Sequence, residues 1–151
     1  MATNTILQSL NDSTAFGGVS TTGTSNRTQV ETFLAGGAIS VGDWVAVDTT
    51  KTGADKTLFV IEAGTSANGN ATVVGVALET VAAAAQVRVV ISGYAASANT
   101  NGSPGAGQPL VVQTVAGAAD AAGAGITAPP CGVALSASVA NKAEVLVYKR
   151  F

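Results

Sequence analysis

The sequence predicts an all-β fold, a small β-barrel or β-sandwich built from a degenerate internal duplication, with an extended N-terminal arm. Three observations support this prediction. Apolar and polar residues alternate with the period of half-buried strands from about residue 35 onward. Turn segments rich in glycine and asparagine separate short valine-rich runs. Finally, a set of sequence markers occurs twice in the same order, which indicates that one β-motif has been used twice.

The duplication is defined by markers that keep their order. A strand opening that begins with glycine, the letters GVAL and a closing valine-rich run occur once in each half. The two copies lie at about 42–95 and 107–151, within a β domain at 35–151. Nothing reactive recurs with the repeat, which favours a scaffold over a catalytic domain. The paired markers are 42–49 and 107–114, 75–78 and 132–135, and 87–91 and 145–148.

The first copy predicts four strands. In the first of them Val45 and Val47 share one face and Trp44 and Ala46 share the other, because successive side chains of a strand alternate. The last strand has valine or isoleucine at every second position and is expected to face the core on that side. The predicted strands lie within 39–48, 57–62, 72–78 and 87–94.

The connections of the first copy also carry predictions. Val74, Val76 and Leu78 are expected on one side of the third strand. The segment 81–86 has a helix-forming composition, but it is too short for a stable helix, so a connecting turn is expected. Residues 95–107 are rich in Ala, Asn, Gly and Ser and predict a long loop.

The second copy is less complete than the first. It opens with the apolar run 110–112, and strands resume at 132–135 and 144–148. Its middle, residues 116–128, is dominated by Ala and Gly. This part therefore lacks an obvious equivalent of the second strand of the first copy.

Residues 1–34 predict an extended arm without a core of its own. Thr, Ser, Asn and Gly dominate this region, and its apolar residues are isolated. One interpretation is a flexible tail, as many termini are. The other is an arm that lies along a partner and anchors itself through apolar side chains that have nowhere to pack in an isolated subunit. The candidate partner-contact residues are Ile6, Leu7, Leu10 and Phe16.

The composition restricts the possible partners. Charged residues make up 11% of the chain, less than half of the roughly 25% usual for soluble domains. This indicates a surface that other subunits partly cover. The net charge is −2 and the basic residues are scattered, so we expect no nucleic-acid binding. No stretch approaches the roughly 20 apolar residues of a spanning helix, and the N-terminus lacks the features of a secretory signal, so no membrane partner is expected.

The sequence gives little support for catalysis. Histidine is absent, which removes the commonest general base and metal ligand. Cys131 is the only cysteine and takes the place of Val74 in the repeat, so we expect a small buried apolar residue. The carboxylates fall mostly in turns and at strand ends, where solvated side chains are usual. The glycine-rich segment 102–107 lacks the Lys-Ser/Thr ending of a phosphate-binding loop. We therefore expect no catalytic residue, cofactor or metal site.

Three stretches resemble the capsid decoration, or cement, proteins of tailed bacteriophages: GDWVAVD at 42–48, VGVALE at 74–79 and VRVVISG at 87–93. The resemblance covers about 36–95 well and 107–151 more weakly. It implies a non-enzymatic structural virion protein that binds the outer surface of a phage capsid and stabilises it by clamping neighbouring major capsid subunits. The implied partners are the major capsid protein and further copies of the chain, as a trimer. The implied location is the outer capsid surface, after synthesis in the host cytoplasm.

The resemblance gives residues 1–34 the role of an arm that reaches onto the capsid or an adjacent copy. A head-fibre or tail-associated β module is an alternative structural class. A carbohydrate-binding β module on the virion surface is another, because sugar sites stack aromatic rings and Trp44, Tyr94 and Tyr148 are available. The valines around Trp44 predict instead that it lies in a core or an interface.

Overall fold

The structure, a computed structural model, describes residues 28–149, and this part of the chain is nearly all β. Its elements are β1 (Gln29–Ala35), β2 (Trp44–Val47), α1 (Asp55–Leu58), β3 (Phe59–Glu62), β4 (Val73–Ala77), β5 (Gln86–Asn99), β6 (Pro109–Val112), β7 (Ala119–Ala121), β8 (Gly132–Ala134) and β9 (Lys142–Val147). The strands of this range are hydrogen-bonded in the order β1-β3-β2-β4-β5-β9-β8-β6-β7.

The first five strands close into a barrel, which we call the first barrel. Its order is β1-β3-β2-β4-β5, and β5 pairs back onto β1 to close it. β1 and β3 are parallel, and the other neighbours are antiparallel. The interior is filled by buried apolar side chains, among them Phe33, Ile39, Val60 and Ile91. Their removal from water, at roughly 25 cal/mol per Å² of apolar surface, stabilises the closed form.

The second half of β5 and strands β6 to β9 repeat this arrangement, and we call them the second unit. The order β7-β6-β8-β9 matches β3-β2-β4-β5. The parallel bridge between Thr100 and Ala119 takes the place of the parallel pairing of Ala35 with Val60. The second half of β5 lies beside β9 as β1 lies beside β5. The predicted duplication is confirmed, and β5 serves both copies.

The two GVAL segments recur because a glycine is needed where two backbones approach closely. A Cβ atom on Gly75 would lie 2.0 Å from the carbonyl oxygen of Val90, and one on Gly132 would lie 2.6 Å from that of Leu146. Real Cβ atoms do not come this close to a backbone oxygen, so any larger residue would push the strands apart. The same contact therefore fixes β4 against β5 and β8 against β9.

The two units share a core at their junction. Trp44 and Ala46 point out of the first barrel into a cluster formed mainly by the second unit, as the alternation of β2 predicts. Trp44 is fully buried, and its ring would lie 3.0 Å from a Cβ atom on Gly132. The second unit has room for the indole because alanines, such as Ala98 and Ala143, stand where the first barrel has Phe33 and its partner valine.

The expectation for β4 was wrong. Val74 lies in the core of the first barrel, whereas Val76 packs at the junction with the second unit. The pairing of β2 with β4 shifts register between Val45 and Ala46, and such an irregularity reverses the faces of the residues beyond it. Leu78 follows the strand and is exposed.

The predicted loop at 95–107 is partly a strand. β5 continues to Asn99, and Ala95 and Ala98 are buried at the junction, where small side chains allow close packing. Residues 81–86 contain the expected turn, with Val81 bridged to Ile39.

Three element boundaries also differ from the sequence prediction. β7 supplies the missing equivalent of β3 within the Ala/Gly-rich segment, because its small side chains suit the narrow second unit. Thr57 and Leu58 belong to α1 and do not extend β3. β1 begins at Gln29, so β structure starts upstream of residue 35.

Candidate interaction surface

The predicted anchors Ile6, Leu7, Leu10 and Phe16 lie outside the described residues, so their role stays a prediction. The structure does show the contacts of Thr28, the first residue that it describes. The hydroxyl of Thr28 donates a hydrogen bond to the carbonyl oxygen of Tyr94 (3.3 Å) and accepts one from its N–H (3.2 Å). The described part of the chain therefore begins beside the second half of β5.

Beside this point lies a row of apolar side chains across four strands. Tyr94 on β5 is opposite Leu146 on β9, Leu146 is opposite Val133 on β8, and Val133 is opposite Pro109 on β6. Directly opposed residues share one face of a sheet. Leu135 and Tyr148 extend the row, and exposed fractions are 38% for Leu146, 41% for both tyrosines and 46% for Leu135. We call these six residues the outer apolar face.

The first barrel has the same row, but there it is covered. Val90, Val76 and Trp44 occupy the repeat positions of Leu146, Val133 and Pro109, and at most 1% of each is exposed. The second unit covers them. No described residue covers the equivalent row of the second unit, so an apolar surface that one copy buries is left open in the other.

The edge of this face is polar and carries one carboxylate. The hydroxyl of Tyr94 donates to Glu144 Oε1 over 3.0 Å. Burial, and then the hydrogen bond and negative charge of Glu144, raise the pKa of the Tyr94 phenol, so it remains a donor at neutral pH. Lys149 Nζ donates to Gln29 Oε1 over 3.2 Å at the start of β1. The face is thus bounded by fixed polar contacts.

Sequence reasoning missed the outer apolar face, although a signal was present. At the end of β9 the core positions Val145 and Val147 alternate with Leu146 and with Tyr148, which follows the strand, so this end is apolar on both sides, whereas Lys142 and Glu144 make the outer side polar at the start of the strand. A strand with one solvated face normally carries polar residues there. Apolar residues at successive positions therefore indicated that the outer side of this end of β9 is suited to being covered by another segment.

Trp44 does not form a sugar-stacking site. Its ring is fully buried at the junction, and Nε1 donates to the carbonyl oxygen of Asn99 over 3.0 Å. This confirms the prediction that Trp44 lies in a core or an interface. The carbohydrate alternative loses its strongest aromatic candidate, and among residues 28–149 the exposed rings that remain are those of Tyr94 and Tyr148.

Two carboxylates approach each other beside the junction. Both Glu62 Oε1 and Asp43 Oδ1 would lie close to a Cβ atom on Gly117, at 2.7 and 3.1 Å. Burial, and then the charge of Asp43, raise the pKa of Glu62. Asp43 is itself 7% exposed and accepts hydrogen bonds from the backbone N–H of Ser40 and the amide of Asn99, each 2.7 Å long. The expectation of a solvated turn residue was wrong for Asp43, which holds the β2 turn against β5.

The remaining chemical groups are structural in their contacts. Cys131 is buried and its thiol donates to the carbonyl oxygen of Leu110, so the prediction of a small buried residue is confirmed. Among residues 28–149, no group of three or more His, Cys, Asp or Glu side chains is placed to hold a metal ion.

A shallow depression of about 270 Å³ is lined in part by Asn99, Asn141 and Lys142. Within the described range, no helix is long and apolar enough to cross a membrane.

Comparison with known proteins gives a likeness of fold. No family model and no curated protein matches the chain. Among solved structures, the chain is similar to the N base of the head fibre gp8.5 in bacteriophage phi29, with a TM-score of 0.53 and 14% sequence identity. The alignment covers 80% of this chain and 94% of that chain. At this identity the likeness shows that the two proteins share a fold.

Proposed function

We propose that this chain is a structural protein of a bacteriophage virion and attaches to the phage head. The observation that carries the proposal is the shared fold with a head-fibre base, which extends over 94% of that base. The resemblance of residues 36–95 to capsid decoration proteins points to the same kind of particle by a separate route.

The proposal includes a location on the outer surface of the shell and a role in clamping neighbouring major capsid subunits. The low charge of the chain suits contact with other proteins, because few charged groups have to be desolvated. Many weak contacts repeated over a symmetric lattice add up by avidity. The predicted anchors are Ile6, Leu7, Leu10 and Phe16. The first three, which lie furthest along the chain from β1 and are called the distal anchors, are proposed to contact the shell, and the copies to associate as trimers. No catalytic step is part of this role.

Co-sedimentation with expanded heads that lack the protein tests attachment. We expect the full chain to pellet with the heads, and a chain without residues 1–12 to bind more weakly while its circular dichroism spectrum is unchanged. The deletion stops well before β1, which begins at Gln29. Failure of the full chain to bind any head of the phage that encodes it would refute attachment. If heads that carry the protein lose their DNA at the same temperature as bare heads, clamping would be refuted, whereas attachment would stand.

The head-fibre alternative is favoured by a specific observation, since the structurally similar protein is the base of a head fibre. A base module serves as an attachment point for a projecting fibre, whereas a cement protein lies flat on the shell. Electron micrographs of particles that carry the chain separate the two. Projections from the occupied positions would favour the base role, and a smooth decorated surface would favour the cement role.

A further inference from the structure

We propose that residues 16–27 of the same chain dock on the outer apolar face and cover it. The first support is position. Thr28, the residue that follows this segment, is bonded to both backbone groups of Tyr94, and Tyr94 is the first residue of the apolar row. The segment therefore starts at the edge of the face that it would cover.

The second support is length. Neighbouring strands lie roughly 4.8 Å apart, so the row from Tyr94 across β9 and β8 to Pro109 spans roughly 14 Å. An extended chain covers roughly 3.3 Å per residue, so residues 16–27 reach roughly 40 Å. Phe16 and Val19 can thus reach any part of the face with several residues to spare.

The third support is the chemistry of the segment. It reads FGGVSTTGTSNR, with Phe16 and Val19 as its large apolar side chains and Arg27 as its one charged residue. A glycine-containing segment whose single charge lies at its end can lie on an apolar surface with a small desolvation cost. Arg27 adjoins Thr28, and the carboxylate at that edge of the face belongs to Glu144, which Tyr94 contacts. The edge thus offers Arg27 one carboxylate, beside the positive charge of Lys149 at the start of β1.

The size of the face favours a segment over a second copy of the body. The exposed fractions of 38–46% for its tyrosines and leucines correspond to roughly 300–400 Å² for side chains of this size. A stable protein–protein interface buries roughly 800 Å² per partner. The face is thus too small to hold a folded partner by itself, and its size lies within the range of the largest apolar patch of a typical monomer, which is often functional.

Docking within one chain leaves the distal anchors Ile6, Leu7 and Leu10 available for another protein. It also requires no phage head, so it is tested on the isolated full-length chain, and its failure would leave the head-attachment experiment unaffected.

Paramagnetic broadening measures the docking directly. A nitroxide is attached at Ser20→Cys in ¹⁵N-labelled protein, where Cys131 does not compete because it is 1% exposed. We expect the amide signals of Val133, Leu135 and Leu146 to lose more than about half of their intensity. Leu78, the repeat counterpart of Leu135, serves as the internal control and keeps its intensity. Equal intensities at the face and at Leu78 would overturn the proposal.

A mixed sample identifies which chain supplies the segment. Chains that carry the nitroxide but no ¹⁵N are combined in equal amounts with chains that carry ¹⁵N but no nitroxide. Docking within one chain predicts no broadening in this mixture. Broadening at the face in the mixture would overturn the proposal in favour of exchange between copies.

Trypsin cleavage after Arg27 gives a second, mutational test. Phe16→Ser is expected to speed this cleavage about tenfold, because undocking exposes the bond, whereas Leu10→Ser, the matched change in the distal part, leaves the rate unchanged. Leu146→Ser on the face is expected to act like Phe16→Ser. Phe16 precedes β1 in the sequence, so its variant remains informative even if the face variant fails to fold. Cleavage of Phe16→Ser at the rate of the unaltered chain would overturn the proposal.

Discussion

Replacing Trp44 by alanine tests whether the two halves of the body depend on one shared side chain. The indole leaves the first barrel on its outer face, is fully buried in the core of the junction, and donates from Nε1 to Asn99 on the shared strand β5. The cluster around it combines alanines with valines and Leu110, and close-packed neighbours relax only partly into the space that alanine would leave.

The expected loss follows from this geometry. Truncation of a buried tryptophan to alanine costs about 3–5 kcal/mol of stability when the site cannot collapse. The loss of one hydrogen bond typically contributes about 1 kcal/mol to such a cost. A domain of this size is stable by roughly 5–15 kcal/mol. We therefore expect Trp44→Ala to remain folded at low temperature but to lose about 3–5 kcal/mol of unfolding free energy.

Urea unfolding followed by far-ultraviolet circular dichroism measures this loss, since the variant has no tryptophan for fluorescence. Val139→Ala is the control, because Val139 is 75% exposed and exposed substitutions usually change stability by less than about 0.5 kcal/mol. A single unfolding transition is expected for both proteins, because β5 belongs to both units. If Trp44→Ala cost no more than Val139→Ala, the indole would not hold the junction together.

Two further predictions concern the glycine contact and the Glu62 carboxylate beside Asp43. Gly75→Ala should prevent normal folding, because its Cβ would meet the Val90 carbonyl oxygen at 2.0 Å. The control Gly37→Ala has open space around its Cβ and should leave the soluble yield unchanged. A Gly75→Ala variant as soluble as the wild type would contradict the close approach of the two strands. The raised pKa of Glu62 means that the fold favours the protonated acid, so its contribution is fully present below the ordinary pKa of 4.5 and is lost as pH rises through the folded value. Glu62→Gln should therefore gain urea stability relative to the unaltered chain as the pH rises above 4.5, and a pH-independent difference would argue against desolvation of the Glu62 carboxylate beside Asp43.

Local patterns were sufficient for much of the fold. The alternation in β2 correctly assigned Val45 to one core and Trp44 to the other side, because a regular strand has a fixed period. The repeated GVAL identified a duplicated unit, and the reason is physical: Gly75 and Gly132 each permit a backbone contact that no other residue allows. Cys131 was assigned to the core from its place in the repeat alone.

Other features depended on partners distant in the sequence. The face to which Val76 points is set by a register shift opposite β2, which no pattern within β4 reveals. The segment from Ala95 to Asn99 has the composition of a loop but becomes a strand because β9 pairs with it. The short β7 forms for the same reason, beside β6.

The sequence by itself determined a valine-built β-protein with two related copies, since strand period and glycine placement are local properties that any fold of this chain must satisfy. Only the tertiary structure decided how the copies differ in exposure. Trp44 and Leu146 occupy comparable outward positions, yet one is buried at the junction and the other is left on the surface. That difference arises because the two units pack on one side only, and the position of a neighbouring unit is a property of the assembled chain.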